Sequence, residues 1–203
     1  MFYLTTSLVL MYAIGDKLVK KQSRWYFIHS IVNFIILSNT YKDVYNTFTC
    51  SNPVTIKPSM DINVMNSLIT SLHVYHLFFY TNLRLDDYLH HIIMLTVFNI
   101  SILQVQGSYP GTLLFFMNGL PGFIDYSLLS LTKYNLLSKK REKYINTFLN
   151  VYVRSPGILL TLGNLFYNVE NKNAMIFLNG FFIFFNSQYY TRDVCINYGK
   201  YIN

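Results

Sequence analysis

Three ionisable residues stand at the start of an apolar segment: Asp87, His90 and His91, within the run Leu-Asp-Asp-Tyr-Leu-His-His-Ile-Ile-Met at 85–94. Charge and imidazole are costly to bury in an apolar segment, so ionisable residues there indicate a functional site by default. Spacings of three and four place both histidines on the helical face that follows Asp87. A carboxylate next to an imidazole fixes its tautomer and stabilises its cation, which is the arrangement of a general base.

Further polar residues interrupt the other apolar segments at matching depths. Helical rise of about 1.5 Å per residue predicts two layers, measured from one end of the segments. The layer at about 7 Å contains His29, His76, His90 and His91. The layer at about 12–15 Å contains Asn33, His73, Asp125 and Arg154. These layers predict a single site built from several helices.

The roles follow from residue type. The residues predicted to be catalytic are His90, His91, Asp87 and Asp125. The residues predicted to bind substrate are His29, Asn33, His73, His76 and Arg154. Structural alternatives stay open for each group. His90 and His91 can be an interfacial pair capped by Asp87, and His73 and His76 can form interhelical hydrogen bonds. Asp125 and Arg154 can form an ion pair or share a polar cavity.

The composition indicates a membrane protein. The chain has 203 residues, of which 52% are hydrophobic, 18% aromatic and 12% charged, whereas a soluble domain carries about 25% charged residues. The net charge of +7 does not indicate nucleic-acid binding, because the basic residues cluster in short loops beside apolar segments. The two cysteines, Cys50 and Cys195, are expected on opposite sides of the membrane, without a disulfide.

Seven segments are long enough to cross, or nearly cross, a hydrocarbon core about 30 Å thick. They are 2–15, 25–48, 62–81, 88–105, 110–131, 144–167 and 174–190. The sequence therefore predicts one domain over 1–203, an all-α polytopic bundle of about seven transmembrane helices. Gly-Leu-Pro-Gly at 119–122 and Ser-Pro-Gly at 155–157 lie inside two of these segments. Proline and glycine break the backbone ladder there, which indicates a cavity between the two helices.

Lysine and arginine predict the orientation of the bundle. Twelve fall on one side: Lys17, Lys20, Lys21, Arg24, Arg84, Lys133, Lys139, Lys140, Arg141, Lys143, Arg192 and Lys200. Three fall on the other: Lys42, Lys57 and Lys172. The positive-inside rule places the N-terminus outside or in the lumen and the C-terminus in the cytosol.

The motifs resemble those of the TLC domain family, which includes ceramide synthases and translocating-chain-associating proteins. The resemblance rests on three runs in order: Arg-Trp-Tyr-Phe-Ile-His-Ser-Ile-Val-Asn at 24–33, Leu-His-Val-Tyr-His at 72–76, and Asp-Tyr-Leu-His-His at 87–91. It covers a core of about 24–192, and the chain is most similar to the smaller family members. The resemblance implies a helical bundle around a lipid-accommodating cavity, usually in the endoplasmic reticulum.

In ceramide synthases the His-His pair is followed by a His-Asp-x-x-Asp-x-x-Leu-Glu element. Asp125 and Leu128 match that element, but Pro121, Gly122 and Leu129 stand where His, Asp and Glu are expected. These departures argue against ceramide synthesis itself. The resemblance implies a protein of membrane-lipid homeostasis. It leaves two classes open, an acyl-CoA-dependent acyltransferase and a non-enzymatic lipid-binding or trafficking protein, with a transporter or channel as a third reading.

The remaining expectations concern ligands and partners. An acyl chain is expected beside Phe115, Phe116, Phe123 and Ile124, and acyl-CoA is the expected co-substrate if the protein transfers acyl groups. The aromatic run at 181–185 is expected to face lipid or to pack. Five histidines are too few for the di-iron boxes of membrane desaturases, so no metal or cofactor is expected. Membrane lipids are the expected partners, and homo-oligomerisation is left open.

Overall fold

The computed structural model describes residues 2–80, 83, 85–99, 105–170 and 174–202. Seven helical rods make up this part of the chain, and no strand occurs in it, so the all-α prediction is confirmed. The first three rods are α1 (Phe2–Gly15), α2 (Arg24–Thr49) and α3 (Ile62–Phe79). The others are α4 (85–98), α5 (Tyr109–Lys133), α6 (139–168) and α7 (Ala174–Ile202). Arg84, Lys172 and parts of the predicted third and fourth segments lie outside the described residues.

Local sequence sets where the helices begin. Asp61 caps α3, because its Oδ1 accepts hydrogen bonds from the backbone N–H groups of Asn63 at 2.8 Å and Val64 at 3.4 Å. Ser138 caps α6 by accepting from the N–H of Arg141 at 3.3 Å. Such caps satisfy backbone donors that the first helical turn leaves free. The cap at Ser138 explains why α6 begins five residues before the predicted segment.

Two sets of contacts define the ends of the bundle. At one end, the α1–α2 and α5–α6 connections meet: Gln22 Nε2 donates to the carbonyl of Lys133 at 2.8 Å, and the N–H of Lys20 donates to Tyr134 Oη at 3.3 Å. Because lysines lie in the first connection and on both sides of the second, at Lys133 and Lys139, we call this the basic end. At the opposite end, the N–H of Ser108 donates to the carbonyl of Pro53 at 3.1 Å.

The helices run alternately between these ends and pack around a common interior. Helix α2 packs most extensively against α5, α6 lies beside α5 and α7, and α1 packs on α3 outside the ring that the other helices form. The interior contains fully buried apolar side chains near the opposite end: Ile36, Tyr109, Leu113, Leu114 and Ile158. Buried polar residues also occur near that end, among them Asp43, Thr47, Ser108 and Thr112, so polar groups are present at both ends of the interior.

By length and composition, one helix of the described part of the chain, α5, is apolar enough to cross a membrane.

Candidate functional site

A polar cavity of about 160 Å³ lies at the basic end. Six helices, α2 to α7, contribute side chains to its wall. The histidines and charged residues in the wall are His29, His73, His90, Asp125 and Arg154. The amides and tyrosines are Asn33, Asn118, Asn146, Asn150, Asn186, Tyr126 and Tyr190. The cavity is thus a meeting point of helices that are distant in sequence.

Three turns of π-helix face this cavity: Met94–Phe98, Phe115–Gly119 and Asn150–Arg154. Each contributes at least one residue to the wall. Two of the turns precede Pro121 and Pro156, which have no N–H to continue the α-helical ladder. Widened turns of this kind often occur at functional sites, because they turn side chains away from regular helical positions. The sequence-based expectation of broken helices beside a cavity agrees with this arrangement.

His29 is held by its own helix. Its Nδ1 lies 2.7 Å from the carbonyl oxygen of Trp25, and because a carbonyl only accepts, Nδ1 carries the proton. The neutral ring therefore has its lone pair on Nε2. The ring stacks on His76 at 4.4 Å and on Tyr126 at 4.2 Å. Trp25 stacks on His76 at 3.7 Å, and its ring centre is 5.2 Å from that of His29. These contacts fix the orientation of the imidazole, as a base requires.

A second histidine pair joins α3 to α4. Nδ1 of His73 and Nδ1 of His91 are 2.6 Å apart, and both rings are buried. The ring of His90 lies 5.2 Å from that of His73 and 6.1 Å from that of Tyr190. His73 and His90 line the cavity, whereas His91 lies behind His73. The two members of the His-His motif therefore have different surroundings.

Three polar atoms of the cavity residues have no hydrogen-bond partner within the described part of the chain. They are Asn33 Oδ1, Asp125 Oδ1 and Arg154 Nε. No ion pair is found between Asp125 and Arg154 among these residues. Both residues line the polar cavity, which agrees with the alternative that they share it. Leaving such buried atoms unpaired costs about 1–3 kcal/mol each.

Arg154 is presented by a row of residues on α6. Asn146, Asn150 and Arg154 follow one another at intervals of four and share one face. Asn150 donates to Asn146 Oδ1 at 2.7 Å, and its own Oδ1 accepts from Arg154 Nη1 at 3.4 Å. The guanidinium also lies over the ring of Tyr190, with Cζ 5.3 Å from the ring centre, which is a cation–π contact. These contacts orient the guanidinium, and Nε has no hydrogen-bond partner in the described part of the chain.

A larger cavity of about 390 Å³ adjoins the polar one, between α4, α5 and α7. Five residues belong to both walls: His90, Met94, Met117, Asn186 and Tyr190. Apolar side chains form much of the remaining wall: Leu89, Ile93, Phe182, Ile183 and Phe185. Asp87 lines this second cavity with His90. His90 thus lies where a polar compartment meets an apolar one.

The structure separates the predicted site residues into two groups. Six line the polar cavity together: His29, Asn33, His73, His90, Asp125 and Arg154. Three lie elsewhere: His76 stacks behind His29, His91 pairs with His73, and Asp87 lines the adjoining cavity. The expected acyl-chain wall also differs. Phe123 packs on Phe34 at 5.2 Å and Phe116 lies against Gly157, whereas Phe182 and Phe185 of the aromatic run line the second cavity.

Apart from Asn33, sequence reasoning missed the amides and tyrosines of the wall. Of these, Asn146 and Asn150 were detectable. Their spacing of four continues to Arg154, so one helical face could have been recognised. Asn186 and Tyr190 show the same spacing on α7. Asn118 and Tyr126 carry no comparable signal, because the π turn at Phe115–Gly119 changes the register between them.

The donor set indicates acid–base chemistry and polar binding. Among the described residues, no group of three or more His, Cys, Asp or Glu is arranged to hold a metal ion. No Ser, Thr or Cys occurs among the described residues of the polar cavity wall. In an acyl transfer the nucleophile can be the amine or hydroxyl of a substrate. His29 or His90 can accept its proton, and Arg154 can stabilise a developing oxyanion.

Comparison with family models, with curated proteins and with solved structures finds no match to this chain.

Proposed function

We propose that this chain is a multipass membrane protein of the TLC type that binds a membrane lipid. The lipid's head group occupies the polar cavity, and an acyl chain occupies the adjoining apolar cavity. The proposal also takes all seven rods as membrane-embedded helices. The order of the three sequence motifs supports the TLC assignment, since their residues His29, Asn33, His73 and His90 surround one cavity.

Large apolar side chains on the outside of the bundle support the membrane assignment. Phe2 is 76% exposed, Phe181 60% and Tyr167 85%, and similar residues cover most of the helices. Soluble monomers rarely expose continuous apolar surface of this extent, because it favours aggregation in water. The lysines and arginines at the basic end favour a cytosolic position for that end. Residence in the endoplasmic reticulum is proposed from the TLC resemblance.

One observation carries the lipid-binding proposal. Three buried polar atoms have no partner in the described part of the chain, and they belong to Asn33, Asp125 and Arg154, which line the polar cavity. The second cavity, walled by Leu89, Phe182 and other apolar side chains, shares part of that wall. A molecule with a polar head and an apolar chain can place its head against the polar residues and its chain against the apolar residues. A purely polar or purely apolar ligand matches only one of the two cavities.

The test is native mass spectrometry of the full chain purified in mild detergent from the membranes in which it is produced. We expect co-purified lipid on the wild type and loss of most of it in Arg154→Gln. Arg141→Gln is the matched control. Arg141 is exposed at the start of α6, and its substitution removes the same charge. Equal lipid occupancy in all three proteins would contradict the proposal.

Acyl transfer is a second candidate, favoured by the position of His90 between the two cavities. In this reaction the amine or hydroxyl of an acceptor lipid attacks the acyl carbonyl of acyl-CoA, and His90 takes the acceptor's proton. The carbon–sulfur bond breaks, an amide or ester forms, and the proton passes to the CoA thiolate. The assay is release of free CoA thiol in the presence of membrane lipids, which we expect His90→Ala to abolish. A wild type that releases no thiol with any lipid extract leaves only the lipid-binding function.

Transport is the least supported class. The polar cavity lies at the basic end. Near the opposite end, the buried polar side chains of Thr47, Ser108 and Thr112 hydrogen-bond to one another, and the apolar side chains of Leu113 and Ile158 are fully buried. A transport path requires polar groups or water across the whole bundle. We therefore expect no solute flux in liposomes that contain the protein.

A further inference from the structure

We infer that the polar cavity selects a small zwitterionic head group, one that carries an anionic group and a protonated amine. This inference rests on the proposed lipid-binding function and names the head-group class. The cavity contains one carboxylate and one guanidinium, Asp125 and Arg154, each with an atom that lacks a hydrogen-bond partner within the described part of the chain. A ligand that satisfies only one of them leaves the other unpaired.

The charges of Asp125 and Arg154 can pair with a ligand because neither forms an ion pair in the described part of the chain. Asp125 and Arg154 lie on neighbouring helices, yet they form no ion pair with each other among the described residues. Arg154 contacts the neutral side chains of Asn150 and Tyr190. The guanidinium is therefore held in place by groups that leave its charge uncompensated. A phosphate or carboxylate at Arg154 and an ammonium at Asp125 compensate both charges.

The neighbouring residues extend this complementarity. Asn33 Oδ1 also lacks a partner, so it is a second acceptor for the N–H groups of an amine. Gly122 allows Asn33 to approach α5, because a Cβ at Gly122 would lie 2.5 Å from Asn33 Nδ2. Asp125 is three residues further along α5, so Asn33 and Asp125 form an acceptor side of the cavity. Arg154 on α6 is the donor side.

The size of the cavity restricts the head group. A volume of about 160 Å³ is close to that of a cavity that holds one benzene molecule, about 150 Å³. That space accepts a phosphate with a short amine and leaves no room for a sugar. Charge and volume together therefore point to a compact zwitterion.

The test uses Trp25, the single tryptophan of the chain, which stacks on His76 beside His29 in the cavity wall. Its fluorescence is followed while three short-chain lipids are added to the detergent-solubilised full chain. The lipids are dihexanoyl phosphatidylethanolamine (a zwitterion), dihexanoyl phosphatidic acid (an anion) and dihexanoylglycerol (neutral). Trp25→Phe supplies the blank. We expect the zwitterion to bind about tenfold to hundredfold more tightly than either of the others, since hydrogen bonds to charged groups carry such differences.

Two variants assign the charges. Asp125→Asn is expected to remove the preference for phosphatidylethanolamine over phosphatidic acid, and Arg154→Gln to remove the preference for phosphatidylethanolamine over dihexanoylglycerol. Arg141→Gln and Glu170→Gln are matched exposed controls and should keep the wild-type order. If a cavity variant fails to fold, the order of the three lipids on the wild type still decides the inference.

The outcomes separate this inference from the function on which it rests. Equal binding of all three lipids, or tightest binding of phosphatidic acid or dihexanoylglycerol, would overturn the zwitterion inference and leave lipid binding intact. No response to any of the three would overturn both.

Discussion

Nδ1 of His73 and Nδ1 of His91 lie 2.6 Å apart and join α3 to α4 inside the bundle. A hydrogen bond between two ring nitrogens needs one N–H and one lone pair, so the two rings cannot both be protonated at Nδ1. The contact gives His91 a structural role, whereas the adjacent His90 faces both cavities. We therefore propose that the neighbouring histidines differ in role, with His91 contributing to stability and His90 to ligand binding.

This division predicts opposite consequences for two adjacent substitutions. His91→Ala leaves His73 Nδ1 buried without a partner, which we expect to lower the free energy of unfolding by about 1–3 kcal/mol. His90→Ala removes a half-exposed side chain and should lower stability less, while reducing lipid binding more. Thermal unfolding in detergent and native mass spectrometry measure the two effects. An equal or larger loss of stability in His90→Ala would contradict the assignment.

A pair of glycines on α6 provides a second prediction. A Cβ on Gly157 would lie 2.5 Å from Cε1 and Cγ of Phe116, whereas a Cβ on Gly163 would meet nothing within 4 Å. Gly157→Ala therefore forces α6 away from α5 or displaces the ring, at a cost of about 1–3 kcal/mol. Gly163→Ala, on the same helix, should be neutral or stabilising by up to about 1 kcal/mol. Chemical denaturation of both variants tests the difference, and similar stabilities would argue against the close α5–α6 packing.

Much of this architecture follows from sequence patterns. The first segment was predicted at 2–15 and α1 occupies Phe2–Gly15, because Asp16 and Lys17 end the apolar run. The last helix was predicted to end at Tyr190 but extends to Ile202. Charged residues such as Arg192 lower the hydropathy there, and nothing in the local sequence breaks the helix. Hydropathy identifies the length of an apolar segment, and it does not show whether the helix continues through the polar residues that follow, as α7 does.

The sequence predicted which residues belong to the site better than it predicted how they are arranged. Counting rise from the segment ends placed His29 in the shallower layer and Arg154 in the deeper layer of one predicted site, and both line one cavity. The π turn at Asn150–Arg154 alters the rise and direction on which such counting depends. His76 illustrates a second limit, because its contacts with Trp25 and His29 result from stacking across helices. The spacing of residues within one helix does not show against which side chains of a neighbouring helix a ring stacks.

The proposed membrane orientation predicts different reactivity for the two cysteines. Both are free thiols; Cys50 follows α2 at the opposite end, and Cys195 follows the cavity residue Val194 near the basic end. In sealed microsomes, a membrane-impermeant maleimide should label Cys195 from the cytosolic side. Cys50 should react only after permeabilisation. The variants Cys50→Ser and Cys195→Ser assign each signal to one thiol. Labelling of both thiols without permeabilisation would contradict a membrane-spanning bundle, and labelling of Cys50 alone would reverse its orientation.

The adjoining cavity predicts selectivity for acyl-chain length, on the basis of the proposed lipid-binding function. Burial of each methylene contributes about 0.8 kcal/mol, or about fourfold in affinity, as long as the chain fits. Leu89 lines this cavity, so Leu89→Phe should shorten the chain at which the affinity stops rising and leave the head-group preference unchanged. Leu160→Phe is the control, because Leu160 is 62% exposed on the outside of α6. A chain-length series measured by native mass spectrometry makes the comparison. If Leu89→Phe and Leu160→Phe give the same profile as the wild type, the acyl chain lies outside the space between α4, α5 and α7.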